Sequence, residues 1–422
     1  MAELGTVARE WTRIGLTGFG GPPAHIALLR KLAVDRMGWM DHEEFEDANA
    51  ACSLLPGPSS TQLAIFCAYR VAGWPGAIVG GLGFVVPAVV MILALSLVFL
   101  SGSPPDWIRG AGAGAGAAVA AVAVRAGEDL LRPSYARARG EDGALVRWAA
   151  YGAAGGVAAA TIGPWLVLVL LGCGLLELLI RRATAEGRVA LLAPLAALRP
   201  AASAASEVPA GAHLRSGPVA FKSAALRPGT LLAKLDPTPF ALVATGSAGD
   251  LAWTAFKVGG LAFGGGFVIV PLMQGDAVHA YHWMTNTEFL NAVALGQVTP
   301  GPVVATVAAV GYGAYGIPGG LLAATVAFLP SFSFILLGGG RFERLRGNPA
   351  ARGFLAGAGP AAIGAILGSA IPLAGALAET WQFLVLAAAA ITLLLLRRGV
   401  VEVLLTAGAI GTVVALAGGP LP

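Results

Sequence analysis

Apolar residues fall along this chain in long uncharged runs. No charged residue occurs from Val71 to Pro105, or from Gly353 to Ala378. A helix that crosses a bilayer needs about 20 apolar residues, so each run is long enough to span one. The pattern predicts six hydrophobic segments near 3–34, 44–72, 74–101, 106–126, 145–162 and 164–180. It predicts six more near 247–274, 286–314, 317–339, 352–375, 380–396 and 399–418. The expected fold is therefore an all-α, polytopic integral membrane protein.

The second set of segments restates the first. Phe19-Gly20-Gly21 returns as Phe263-Gly264-Gly265, Trp39-Met40 as Trp283-Met284, Glu44-Phe45 as Glu288-Phe289, and Pro56-Gly57-Pro58 as Pro300-Gly301-Pro302, always 244 positions later. Gly73, Pro75, Gly76 and Pro87 match Gly316, Pro318, Gly319 and Pro330 at 243. The period is far too long for a solenoid. It divides the chain into two homologous halves, 1–182 and 247–422. They are joined by a polar linker, 183–246, which is richer in Ser, Pro and basic residues than its flanks. The apolar stretch Val189 to Leu198 is too short to span.

Composition sharpens this picture. The chain is 56% hydrophobic and 12% charged, where a soluble protein has about 25% charged residues. The net charge of +4 does not point to nucleic acid, because the basic residues cluster between apolar segments, where they orient a membrane chain. The first thirteen residues lack a signal-peptide pattern and read as mature protein. Cys52, Cys67 and Cys173 fit no disulfide or zinc spacing and read as small core residues.

The basic clusters also bear on orientation. In the first half Arg125, Arg132, Arg137, Arg139 and Arg147 follow the fourth segment. In the second, Arg341, Arg344, Arg346 and Arg352 follow the third, and Arg397 and Arg398 follow the fifth. If basic means cytoplasmic, the linker is cytoplasmic and corresponding segments run in opposite directions, as inverted repeats. Inversion needs an odd number of crossings per half, so one of six segments should fail to span. The competing reading is a parallel repeat of six full spans each.

The first two segments of each half are the candidates, because both are interrupted. Gly20 and Gly21 are poor helix interior and Pro22-Pro23 cannot continue a ladder, although Pro suits the first turn of a new helix. Gly264 and Gly265 occupy the matching place. Pro56-Gly57-Pro58 and Pro300-Gly301-Pro302 each end one helix and start another. A restarting helix offers unpaired N–H groups and a partial positive charge to an anion. Ser59, Ser60 and Thr61 add hydroxyls in the first half, and Thr299 and Thr306 in the second. In a bilayer such broken backbone survives only where it is buried in protein or lines a polar cavity, and paired broken helices mark transporter binding sites. The run Gly110 to Gly116 has neither polar neighbours nor a partner in the other half, and reads as helix packing.

Charges inside apolar segments are functional candidates. Arg13 and Lys257 stand at the same repeat position, six residues before Phe19 and Phe263. Either a bound oxyanion or snorkelling to headgroups explains them. Gln62 and Gln297 are polar candidates beside the second interruptions. His25, matched by Ile269, is a proton-coupling candidate, although a lone His is more often hydrogen-bonded structure. Asp41 to Asp47 and Glu288 read as capped helix starts. No ATP-binding glycine loop, metal-ligand cluster or nucleophile with its base occurs, so neither an enzyme nor a cofactor is expected.

The segments Gly15 to Ile26, Leu54 to Ala64, Tyr69 to Gly76, Phe263 to Phe267 and Leu295 to Pro302 together resemble the chromate ion transporter family, in its long form with two fused domains. The resemblance covers the first three segments of each half. It implies an inner-membrane, multi-pass protein that exports chromate, driven by the proton-motive force, and confers resistance. Sulfate, a tetrahedral dianion of similar shape, is the natural competitor. Ser53 stands where the family often has Gln, a residue that Gln297 keeps. A homodimer is left open. A membrane scaffold without transport is the rival from another class.

Overall fold

A computed structural model of the protein describes residues 3–100, 104–140, 143–162, 165–185, 247–262, 266–338 and 348–422. Expectations for the linker from 186 onward, for Gly102, for Arg344 and for residues 263–265 lie outside the described residues. Every regular element among the described residues is helical. The first half comprises α1 (Leu4–Thr17), α2 (Pro22–Arg30), α3 (His42–Leu54), α4 (Ser59–Phe99), α5 (Asp106–Ala138), α6 (Ala144–Thr161) and α7 (Leu166–Ala185). The second comprises α8 (Ser247–Leu261), α9 (Ile269–Gln274), α10 (Asn286–Val298), α11 (Val307–Gly338), α12 (Pro349–Gly375), α13 (Thr380–Ala390) and α14 (Val400–Leu416). Lys31–Arg36 extends α2 as a π-helical turn, and Gly275–Ala280 extends α9 at the matching place.

α4 has 41 residues. Straight, it would measure about 62 Å at 1.5 Å per residue, twice the roughly 30 Å of bilayer hydrocarbon. It is not straight. Ala72 and Gly73 leave helical geometry, with Gly73 at φ 64° and ψ −155°, and Tyr315 and Gly316 repeat this in α11 at φ 62° and ψ −151°. This φ favours glycine over any residue with a Cβ. The chain turns back on itself: Gly80 lies against Ala68 and Gly81 against Ile65, and Gly319 faces Gly311. Each element is thus a helical hairpin with arms 59–71 and 74–99, or 307–314 and 317–338. Pro75 and Pro318 stand in the first turns of the outgoing arms, where the missing N–H costs nothing.

The outgoing arms, equivalent by repeat, pack on each other in antiparallel fashion. Gly81 sits under the Phe332 ring and Gly320 under Leu93, so as one chain rises the other falls. Farther out the halves interlace. α5 packs along α14, with Gly110 and Gly114 against Gly411 and Ala407; α12 packs along α7, with Gly357 against Cys173. The fourth hydrophobic segment of each half thus takes the sixth of the other. Gly112 and Gly116 turn the opposite edge of α5 to Asn291 and Leu290 of α10. The glycine run accordingly serves close helix packing on two faces.

Two boundaries differ from the sequence reading. α5 continues past 126 to Ala138, so Arg125, Arg132 and Arg137 are helical residues, not loop. Ion pairs one turn apart, Arg132 to Glu128 at 2.8 Å and Arg125 to Asp129 at 3.2 Å, support this polar extension. α7 likewise runs to Ala185, past the expected limit at 182. Elsewhere the outer surface is apolar: Leu82, Val86 and Val90 on α4, Leu384 on α13, and Leu405 and Val413 on α14 are exposed. Such a face belongs against lipid. Trp74, Trp107 and Trp165 are exposed at helix beginnings, the usual place of interfacial aromatics. Cys52, Cys67 and Cys173 are free and buried.

Candidate functional site

The interruptions fold as breaks. α3 stops at Leu54 because Leu55, preceding Pro56, is held extended at ψ 146°. Gly57 turns the chain at φ 112°, and α4 restarts at Ser59 after Pro58. The second half repeats this: Thr299 is extended at ψ 134°, Gly301 turns at φ 102°, and a short 3₁₀ turn, Val303–Thr306, leads into α11. In the other pair, α1 ends at Thr17, Gly20 and Gly21 take φ 103° and 72°, and α2 restarts with Pro22 and Pro23 in its first turn. The matching candidates Gly264 and Gly265 lie outside the described residues; Gly266, next to them, has φ 88°.

These breaks meet across the two halves. The Gly301 N–H donates to Gly18 O at 3.0 Å. A Cβ built on Gly57 would lie 3.0 Å from Gly259 O and 3.5 Å from Ser331 Oγ. A Cβ on Gly301 would lie 3.5 Å from Gly15 O and 2.7 Å from the Ala88 methyl. Gly15 and Gly259 are equivalent by repeat, as are Ala88 and Ser331. Each Pro-Gly-Pro break therefore seats on the first helix and outgoing arm of the opposite half, a reciprocity that two-fold related units produce. Gly21 and Gly266 both abut Val303. Gly57, Pro58, Pro300, Gly301 and Pro302 are buried.

Polar groups gather at the first of these junctions. His25, fully buried, lies 2.9 Å from Gly18 O through Nε2 and 3.4 Å from Ser60 Oγ through Nδ1, with the Phe84 ring edge-on at 5.1 Å. As a neutral ring it donates from Nε2 to Gly18 and accepts at Nδ1 from the serine hydroxyl. Gln62 Nε2 donates to Pro56 O at 2.7 Å. Thr61 Oγ1, Gln62 Oε1 and Ser331 Oγ are buried there without a hydrogen-bond partner, as is Gln297 Nε2 ahead of the second break. Ser59 is half-buried and Ser60 buried. Pro58 offers no side-chain cap to α4, whose first ladder bonds run from Thr61 and Gln62 to Pro58 O. The N–H groups of Ser59 and Ser60 precede that ladder and point out of the helix end. Hydroxyls, amides and a helix N-terminus make an environment suited to an anion.

The two candidate cations both stand beside carboxylates. Lys257 is not solitary: Nζ is 2.5 Å from Asp276 Oδ2, which also accepts from Thr254 Oγ1 at 2.9 Å. Arg13 is 66% exposed and stands 3.9 Å from Glu10. Glu10 in turn is buried and pairs with Arg36 at 2.5 Å. Each half thus ties its first helix to the π-helical turn that follows its restarted helix, with the signs exchanged: acid on α1 and cation on the turn in one, cation on α8 and acid on the turn in the other. The sequence reading missed Asp276, Arg36 and Ser331. A search for charge about three to four turns beyond each break would have found the first two. The acidic starts behave as expected: Asp41 Oδ1 caps α3 through Glu44 N at 2.7 Å, and Thr285 with Glu288 forms a capping box on α10. Among the described residues no cluster of metal-ligating side chains occurs.

The sequence profile of the family described as Chromate transporter matches residues 5–178 and 249–412. The chain is 31% identical over 410 residues to the chromate transport protein of Cupriavidus metallidurans, covering 94% of this chain and 89% of that one. It is 32% identical over 374 residues to the chromate transport protein of Pseudomonas aeruginosa, covering 88% and 81%. An uncharacterized transporter of Methanocaldococcus jannaschii is 26% identical over 340 residues, covering 80% and 76%. No solved structure matches the chain. Both halves are matched and these relatives are covered along most of their length: the protein belongs to the chromate transporter family.

Proposed function

We propose that this protein is a secondary transporter that exports chromate across the cytoplasmic membrane, drawing on the proton-motive force and so conferring chromate resistance. The observation that carries the reading is the meeting of broken helices from both halves around an uncapped helix end with buried, unpartnered hydroxyls and amides. Unsatisfied polar groups are costly inside an apolar fold, and a tetrahedral oxyanion accepts hydrogen bonds from the unpartnered hydroxyls of Thr61 and Ser331 and from Gln297 Nε2. The names of the relatives supply the anion.

In this reading the halves 1–182 and 247–422 are inverted repeats that rock about the breaks, with the linker 183–246 cytoplasmic. The antiparallel packing of the equivalent arms supports inversion, because a two-fold axis between antiparallel spanning helices lies in the membrane plane. The anion passes between Gly20-Gly21, Pro56-Gly57-Pro58, Gly264-Gly265 and Pro300-Gly301-Pro302, with Ser59, Ser60, Gln62 and Gln297 as donors. Lys257 meets its charge once released from Asp276, Arg13 attracts anions at the mouth, and His25 couples the proton.

The test is chromate accumulation in a chromate-sensitive host. Lower accumulation and higher resistance support export; higher accumulation would establish uptake instead. In proteoliposomes, flux of sulfate but not chromate would reassign the substrate. Absence of flux for either anion under any gradient would make the protein a membrane scaffold.

A further inference from the structure

The two Pro-Gly-Pro breaks turn the chain alike and differ in chemistry. Ser59, Ser60, Thr61 and Gln62 follow the first; the residues that follow the second, position for position, are Val303, Val304, Ala305 and Thr306. The difference extends to what the opposite half brings. The second half turns a hydroxyl, Ser331, toward the Gly57 break, whereas the first turns a methyl, Ala88, toward the Gly301 break. The hydroxyls follow the same division, although Gln297 Nε2, ahead of the second break, is also buried without a partner. Thr306 Oγ1 is spent on Val303 O at 2.7 Å, Thr299 Oγ1 on Leu295 O at 2.7 Å, and the Gly301 N–H on Gly18 O at 3.0 Å. At the first break Thr61 Oγ1 and Ser331 Oγ are both buried and have no partner.

We infer that the molecule carries one oxyanion site, not two, that it lies at the Pro56-Gly57-Pro58 break, and that Ser331 of the opposite half is one of its donors. The inference rests on the transporter reading and narrows it: the Pro300-Gly301-Pro302 break, whose neighbouring hydroxyls are spent on backbone carbonyls, serves as a strut. The ligand class is a tetrahedral dianion such as chromate or sulfate. It takes the free N–H groups at the start of α4 and the hydroxyls of Thr61 and Ser331, which approach from two halves. Closing a site between halves lets binding report on their relative position, as alternating access requires. A serine in a lipid-embedded helix is common, so Ser331 attracts no notice in the sequence. Only the contact with Gly57, from the other half, gives it a role.

Equilibrium binding of radiolabelled chromate and sulfate to the full chain in detergent decides the matter. One anion per chain is expected. Ser331→Ala should weaken binding about tenfold or more, the usual effect of losing a hydrogen bond to a charged group. Its melting temperature without anion should not fall, since it removes a hydroxyl that has no partner. A merely structural serine would show lower stability and unchanged affinity. Ser331→Cys, a weak donor of similar size, should fall between the two. Thr306→Val, at the second break, should keep affinity within about twofold. Two anions per chain, parental affinity in Ser331→Ala, or an equal loss in Thr306→Val would overturn the single site while leaving transport intact. Binding of neither anion by the parent protein would overturn the transporter reading itself.

Discussion

Lys257 and Asp276 form a nearly buried ion pair, 2.5 Å between Nζ and Oδ2, with 10% and 3% of their side chains exposed. The lysine stands on the helix before one break and the aspartate on the turn after it. A sequence reader, meeting no other charge from Leu251 to Met273, takes Lys257 to be awaiting an anion. In the fold the anion already present is a carboxylate of the same half.

That pair changes what a neutral substitution does. Lys257→Gln strands Asp276 in an apolar setting, and breaking a buried pair from one side costs about 3–5 kcal/mol. Membrane abundance should therefore fall. Lys257→Met with Asp276→Leu removes both charges and should restore abundance, yet flux should stay lost if Lys257 meets the substrate. Full flux in the double variant would make the pair a fold device alone. Immunoblots beside proteoliposome uptake separate the two effects.

His25 sits where a proton and the α4 end can influence each other. With Nε2 held by Gly18 O, a second proton must go to Nδ1, which then donates to Ser60 Oγ in place of accepting from it. The serine hydroxyl is freed for the helix end. His25→Asn should abolish the dependence of flux on an imposed pH gradient while anion exchange persists. Unaltered gradient dependence would return His25 to a structural role.

The hairpins rest on single residues. Gly73 and Gly316 have φ near 60°, and almost nothing crowds either, so an added Cβ would meet only backbone strain. Gly73→Ala and Gly316→Ala should each cost about 1–3 kcal/mol, read as a lower melting temperature in detergent. An unchanged melt would mean that the chain reverses by another route.

Inversion is open to a direct topological test. Cysteine placed at Gly102 and at Arg344 should label from opposite faces of the membrane, and cysteine at Ala205 from the same face as Arg344. The three native thiols are buried, so background labelling should be low. Labelling of Gly102 and Arg344 from one face would establish parallel repeats.

Much of this fold was legible because proline and glycine act locally. The breaks at Gly20-Gly21, Pro56-Gly57-Pro58 and Pro300-Gly301-Pro302, and the division of segments around residues 73 and 316, followed from residues that cannot continue a helix. The polar end of α5 was not legible, since a hydropathy reading stops where charge begins while i,i+4 ion pairs carry the helix on. The site was legible only in its backbone. Which groups face one another across the halves depends on how the repeats dock, so Ser331 and Asp276 stayed hidden and the choice between an inward and an outward Arg13 stayed open. The exchange of hydroxyl for methyl at positions 331 and 88 gains meaning only once each is seen against the break it serves.

The interlaced outer helices also govern the order in which the protein can be built. Gly110 and Gly114 of α5 are made early, but the surfaces that fill them, Gly411 and Ala407, lie on α14, which is translated after every other described helix. Until then α5 presents an open seam to lipid. The nascent first half must wait in the bilayer, inserted but unsealed, for roughly the whole of the second half to be translated. α14 acts as the closing stave of a cask: a chain cut short before Val400 lacks the surface that seals Gly110 and Gly114.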